Sequence, residues 1–441
     1  MKTRLFLQKN WFVSGMSSLY TRKSVVSWAL YDWANSAFSL TVVTAFFPIL
    51  LGAYWNEGAD STVTTFRLGI ANATASLLVA LLAPVLGAVA DHLGRRRRML
   101  ALFAMLGVSM TAALFWVEQG YWQLAILLYA LAYIGFAGGN SFYDALLACV
   151  SSRAELDRVS AYGFALGYLG GALLFTLNVV MVTNPELFGL HDAAEAMRWS
   201  FLLVGIWWAV FTLPVLLWVD EGAVTVNEKP VHSVYVLLAT GWSRVFTTLK
   251  NIRQHRSLVL FLLAYWLYID GVYTIIKMAV DYGMSRGLAT EDLISAILLT
   301  NFVGFPAAIL FGILGARIGA KRGIYIGLGV YIVTTLAAPF VSEGWHFYVL
   351  AFTIGLVQGG VQSLSRSFFA RLIPAGRDAE FFGFYNMLGK FAAILGPALT
   401  GIVTLLTGSQ RLGILSVLIL FVAGLLLLVR VPAAAGEDIN G

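Results

Sequence analysis

Apolar stretches of about twenty residues recur along the whole chain, and a run of that length crosses a bilayer as a helix. They fall at 26–54, 65–90, 99–117, 121–150, 159–182 and 198–220, and again at 257–283, 293–316, 323–341, 345–370, 379–406 and 411–430. The runs are continuously apolar, whereas the strands of a membrane barrel alternate over about ten residues, so helices are expected. The fold class that follows is all-α and integral to the membrane: twelve transmembrane helices in two six-helix pseudo-repeats. A composition of 59% hydrophobic and 12% charged residues fits lipid as the surrounding solvent. The expected organisation is a tail at 1–25, a six-helix bundle at 26–220, a polar linker at 221–256, a second bundle at 257–430 and a tail at 431–441.

Basic residues alternate with the spans. Arg95 to Arg98, Arg153, Arg158, Lys250, Arg253, Arg317, Lys321, Arg322 and Arg371 fall in one set of loops, while Glu57, Glu118, Asp192, Glu291 and Glu343 fall in the other. The positive-inside rule then places both termini in the cytoplasm. The same rule accounts for the net charge of +6, which in a soluble protein would have suggested nucleic acid; no nucleic-acid partner is expected. Apolar pieces of the first 25 residues are too short for a secretory leader, so no cleaved signal is expected. Cys149 is the only cysteine, which excludes an intramolecular disulfide, and the five histidines show no metal-ligand spacing. No cofactor, metal or catalytic residue is expected, and the chain is not read as an enzyme.

Ionisable residues inside the spans are the functional signal. A charge at mid-bilayer costs roughly 2.5 to 3.5 kcal/mol on insertion scales, so such residues face a bundle interior or a water-filled pathway. In the first span Asp32, Asn35, Ser36 and Ser39 share a helical face, and in the seventh Asp270, Tyr273, Thr274 and Lys277 repeat that spacing. Asn140, Tyr143 and Asp144 form a stripe in the fourth span, and Gln358, Gln362, Ser365 and Arg366 in the tenth. Lys390 lies near the middle of the eleventh, too deep to reach the interface readily. Asp32 and Asp270 are the candidates for proton coupling, and Lys390 or Arg366 for holding an anionic group such as a carboxylate. Asp270 with Lys277 can equally form a structural pair, and Asp144 with Arg366 either a gate or an interfacial pair. Spans three, six, nine and twelve have no ionisable residue in their cores and are expected at the periphery.

The two halves are repeats. Ile134-Gly135-Phe136-Ala137-Gly138-Gly139 recurs as Ile354-Gly355-Leu356-Val357-Gln358-Gly359, and Gly163-Phe164 matches Gly383-Phe384 at the same offset. The loop Gly87 to Arg96 corresponds to Gly312 to Lys321, with Ala316 in place of Asp91. Two halves around a midplane site suit alternating access by rocking. Glycines in span five, and Gly383, Gly389, Gly396 and Gly401 with Pro397 in span eleven, permit close crossing and bending there.

Gly87, Asp91, Gly94, Arg95 and Arg96 resemble the signature loop of the major facilitator superfamily, and the resemblance makes them gating candidates, with Gly312, Arg317, Gly319 and Lys321 as their counterparts. More narrowly, Tyr31-Asp32-Trp33-Ala34-Asn35-Ser36-Ala37-Phe38, the stretch from Ser160 to Gly171 and the stretch from Gln358 to Arg366 resemble the autophagy-related vacuolar effluxer family and its bacterial relatives, the unknown major facilitator group. The resemblance implies amino-acid efflux, as in the fungal branch, while the short loops look like the bacterial form and imply an inner or plasma membrane. It departs from the pattern at Ala316 and in having no proline beside Gly167. The expected function is secondary transport of a small polar solute, an amino acid or related metabolite, by a monomer in the lipid bilayer, with protons as the candidate coupling ion. The competing readings are a facilitator without proton coupling and a non-transporting membrane sensor.

Overall fold

The computed structural model describes residues 19–56, 58, 61–221, 241–243, 245–248, 250, 256–285, 290–341, 343–392 and 394–432. Among them the chain forms twelve helical spans and no strand. In chain order these are α1 (Lys23–Trp55), α2 (Phe66–Leu93), α3 (Arg96–Trp116), α4 (Trp122–Val150), α5 (Leu156–Thr183), α6 (Ala193–Trp218), α7 (Arg256–Ile276), α8 (Asp292–Ile318), α9 (Ala320–Phe340), α10 (Gly344–Leu372), α11 (Asp378–Thr407) and α12 (Gln410–Val429). Helices are the economical solution for an apolar chain because every backbone N–H and C=O is then paired within its own segment. Most of the expected linker 221–256 and of the tail 431–441, and all of residues 1–18, lie outside the described residues.

The loops repeat between the halves as the helices do. α2 passes into α3 through Gly94 at φ +59°, and α8 passes into α9 through Gly319 at φ +91°. Both occupy the left-handed region that glycine enters without a Cβ penalty, which lets each helix stop and reverse within a residue or two. Within the first half, α1 packs on α5 and α6, and α3 on α4 and α6; within the second, α10 packs on α8 and α9, and α7 on α12. Across the halves α2 meets α11 and α5 meets α8, two contacts that the repeat exchanges for one another. These contacts use glycine for backbone approach: a Cβ on Gly87 would strike the Ala379 carbonyl, one on Gly383 would lie 2.7 Å from the Pro84 Cα, and one on Gly312 would strike Ala161.

Two spans are not regular α-helices. α1 widens into π-helical turns over Phe38–Phe46 and Leu51–Trp55, on either side of the short helix that holds Pro48. Such turns often adjoin functional residues, and the first begins about one turn beyond Asn35 and nearly two beyond Asp32. α11 is discontinuous: one helix runs Asp378–Phe391, Ala392 is extended at ψ 90°, and a second helix runs Leu395–Thr407. The first part packs on α2 and α4 of the other half, whereas the second packs on α7 and on the start of α12. The two halves therefore meet along α2 and α11 at the end that carries Arg95 to Arg98, here called the basic end.

α3 and α4 cross at Gly107 and Gly135, where a Cβ on Gly135 would stand 2.6 Å from the Gly107 Cα and 2.7 Å from the Phe103 carbonyl oxygen. Gly135→Leu should therefore force these helices apart at a cost of roughly 1–3 kcal/mol. Thermal unfolding in detergent followed by size exclusion measures it, and an unchanged midpoint would refute this account of the crossing.

Candidate functional site

Arg366 of α10 reaches out of the second half into the first. Its Nη1 lies 3.0 Å from Asp144 Oδ1 on α4 and 3.6 Å from Asp32 Oδ2 on α1. Its Nε donates to the Ser160 hydroxyl at 2.9 Å and its Nη2 to the Ser160 carbonyl at 2.8 Å, both on α5. The guanidinium also lies over the rings of Phe164, Trp28 and Tyr143, at 4.3, 5.0 and 5.4 Å. Its side chain is 3% exposed, so the pairing takes place away from water, where guanidinium forks and carboxylates hold each other through directional bonds.

Each partner is itself oriented. Asp144 Oδ2 accepts from Asn386 on α11 at 2.8 Å, and Asp32 Oδ2 accepts from the Tyr143 hydroxyl at 3.1 Å. Trp28 stacks on Tyr143 with ring centroids 4.5 Å apart and donates from Nε1 to the Tyr143 carbonyl. Trp28 and Asp32 are four residues apart on one face of α1, so one helix supplies both the ring and the carboxylate. Of the two acids, Asp32 is the more loosely held and the more open, 14% exposed against 9% for Asp144.

Polar residues predicted for the pathway continue this surface. Asn35 donates to Asn140 at 2.6 Å between α1 and α4, and the Tyr168 hydroxyl donates to Gln362 at 3.2 Å between α5 and α10. Ser36 lies against Gly167 of α5, Gln358 stands one turn before Gln362, and Tyr273 of α7 is half-buried. Lys390 sits in the last turn of the first part of α11, half-buried, with Nζ 5.0 Å above the Tyr133 ring and 5.2 Å above the Phe136 ring of α4. It makes no ion pair among the described residues. Asp270 is fully buried and lies apart from the Arg366 group, against the second part of α11. The side chain of Lys277 lies outside the described residues.

The basic end is closed by two clasps of different chemistry. Asp91, at the end of α2, accepts the backbone N–H groups of Ala379 and Glu380 at 3.1 and 2.9 Å, which are unpaired donors at the start of α11. Arg96 links Asp91 at 2.7 Å to Asp378 at 2.9 Å, so both halves share one charge network. At the equivalent place between α8 and α5, Ala316 has no carboxylate. There Asp157 in the first turn of α5 takes Arg371 of α10 in a two-pronged pair, 2.7 and 2.8 Å, and also accepts from Ser367. A described piece of the linker adds to the closure: Val245 packs on Val85 and Ala88 of α2, and Thr248 donates to Glu380 of α11 at 2.6 Å.

Among the gating candidates, Gly87, Asp91 and Arg96 come together with α11, and Gly312 with α5. Gly94 and Gly319 shape the turns. Arg95 and Arg317 are exposed, and Lys321 is turned to its own half, donating to the carbonyls of Val429 and Val431 at the end of α12. Sequence reasoning missed Trp28, Phe164, Asn386, Tyr133, Phe136, Ser160 and the Asp157–Arg371 pair. Asn386 was findable, since it precedes Lys390 by four residues on the same face of α11. Asp157 and Arg371 were not, because a charge at a span end is indistinguishable from a topological one until its partner is known.

Removing Arg366 leaves two buried carboxylates without their cation. Arg366→Ala should destabilise the protein by roughly 3–5 kcal/mol, whereas Lys390→Ala should remove only a contact of about 0.5–1 kcal/mol. The two midpoints compared in thermal unfolding test this ordering, which equal losses would contradict.

A model of the family described as Vacuole effluxer Atg22 like matches residues 54–153 and 148–438. The chain is 38% identical over 423 residues to an uncharacterized MFS-type transporter, YxiO, of Bacillus subtilis (strain 168), with 94% of this chain and 96% of that one covered. It is 30% identical over 332 residues to autophagy-related protein 22-1 of Penicillium rubens, with 64% of this chain covered and 52% of the relative, about half the fungal protein's length. Among solved structures, the major facilitator proton:xylose symporter XylE superposes with a TM-score of 0.70 at 11% identity, over 95% of this chain and 97% of that one. That likeness is one of fold.

Proposed function

The chain belongs to the Vacuole effluxer Atg22 like family and is a major facilitator transporter rather than an enzyme, and from that premise we propose that it carries a small zwitterionic solute, an amino acid or close relative, by alternating access coupled to protons. The observation that carries the reading is the charge arrangement between the halves. Arg366 is committed to Asp144, Asp32 and Ser160, so it acts as a latch rather than as a free anion site. Among the described residues of the pathway, Lys390 is the cation without an ion pair and so is assigned to a solute carboxylate, and the rings of Tyr133 and Phe136 beside it suit an apolar side chain. Asp32, the more open acid, is the partner for the solute ammonium and the carrier of the proton; a carboxylate that exchanges Arg366 for a proton or a substrate ammonium would loosen the latch when it is occupied.

With the basic end in the cytoplasm, as the distribution of arginine and lysine favours, the closed clasps at Asp91 and Asp157 correspond to an outward-facing state. Opening inward then requires that Asp91 release the α11 amides and Asp157 release Arg371. The extent of similarity to the Bacillus protein, set against the partial coverage of the fungal one, favours a bacterial inner or plasma membrane. Both halves of the pathway lie in one chain, which favours a monomer as the working unit.

Flux of a labelled amino-acid panel in proteoliposomes, with and without an imposed pH gradient, tests the proposal. Wild type should show gradient-dependent flux of at least one compound. Asp32→Asn should abolish the gradient dependence, and Lys390→Gln should raise KM at least tenfold, about 1.4 kcal/mol at the site. Flux by Asp32→Asn that keeps its full pH response would reject the coupling assignment. Asp91→Ala should slow turnover while leaving solute binding measurable, and an equal loss of binding would count against a gating role.

A further inference from the structure

Asp270 of α7 occupies the position that Asp32 holds in α1, yet its carboxylate does something different. Its Oδ2 accepts the Leu395 N–H at 3.0 Å and its Oδ1 the Gly396 N–H at 2.8 Å; Oδ1 also accepts from Thr274 at 3.2 Å. These are the first two N–H groups of the second part of α11. Pro397 follows them and has no N–H, and the Ala398 N–H already bonds the Ile394 carbonyl at 3.1 Å. One carboxylate therefore meets the donors that the start of this helix would leave unpaired inside the membrane. Gly396 is required for the approach, since a Cβ there would strike the Thr274 hydroxyl.

Asp32 offers a contrast at a different register, since the match of Gly163 to Gly383 pairs Gly167 with Met387 and Gly396 with Thr176. Asp32 lies against Gly167 of α5, where a Cβ would stand 3.2 Å from its Oδ1, but α5 is one unbroken helix with no spare amides and no proline at that place. Asp32 accordingly turns to Tyr143 and Arg366. In α11 the glycine that Asp270 meets, Gly396, is followed by proline, the helix breaks at Ala392, and Lys390 lies in the last turn of the part before the break.

We propose that Asp270 is a positioning residue: by capping the second part of α11 from α7, it fixes the break that holds Lys390 against Tyr133 and Phe136 in the space between the halves. Asp270 on this account keeps its proton off throughout the cycle and is not the coupling acid. The functional consequence rests on Lys390 as the anion site, and the cap itself does not.

The full chain with Cys149→Ser and Lys390→Cys provides a readout that needs no substrate, namely the rate at which a charged methanethiosulfonate modifies the introduced thiol. Adding Asp270→Asn, which keeps one of the two acceptor oxygens, should lower that rate less than Asp270→Ala does; adding Asp270→Ala, which keeps neither, should lower it at least tenfold as the break relaxes. The same rate in all three would overturn the cap. In the flux assay, with the native lysine, Asp270→Ala should raise KM at least tenfold with Vmax within threefold. Asp270→Asn, with one acceptor left, should raise KM less than Asp270→Ala and keep the pH profile. An Asn variant that loses gradient dependence would make Asp270 a proton carrier and reject the proposal. Should Asp270→Ala fail to fold, Asp270→Glu decides, because it keeps the titrating group and displaces the cap: the proposal expects slower labelling and raised KM, and unchanged values refute it. If no compound on the panel moves even in wild type, the solute assignment fails while thiol labelling still judges the cap.

Discussion

The guanidinium of Arg366 sits where α1, α4 and α5 of one half converge on α10 of the other, and it is the link on which the arrangement of the two bundles depends. Buried carboxylates are tolerated inside a membrane protein only when a cation and hydrogen-bond donors surround them. Asp32 and Asp144 have no other cation within ion-pair distance among the described residues, so each needs the second half close by. The same necessity orients the neighbours. Tyr143 and Asn386 donate to the two acids, and Trp28 braces Tyr143 from behind.

Outside this group the contacts between halves are of two kinds. Glycine contacts along α2 with α11 and along α5 with α8 bring backbones together but supply little direction. The clasps at the basic end supply direction, because a carboxylate at a helix start and a two-pronged arginine pair each accept only a narrow geometry. The repeat makes them unequal. Where Ala316 stands without an acid, Asp157 on the neighbouring helix pairs with Arg371, so the two sides of the closure differ in what would release them.

Residues at matching spacings in the two halves serve different uses. Asp32 and Asp270 share a helix position, yet one faces a continuous helix and the other a broken one. The available donors decide the outcome: side chains from the opposite half in the first case, backbone amides in the second. Gly94 and Gly319 by contrast kept one use, since a left-handed turn between consecutive spans admits little else.

The sequence by itself determined the span count, the duplication, the identity of the basic end and the helices with polar stripes. These follow from local rules, because lipid obliges each segment to satisfy its own backbone and hydropathy marks where that happens. It also singled out the three charges of the central group, Asp32, Asp144 and Arg366, since a charge within a span is conspicuous wherever it points. Only the tertiary structure decided which charges meet. Arg366 lies 222 residues from Asp144, and Asp91 lies 288 from Ala379, so their encounters depend on how the helices cross rather than on any period within one helix. The break in α11 belongs to the same class: Gly396 and Pro397 permit it, but the two amides it exposes are bearable inside the membrane because α7 brings Asp270 to them.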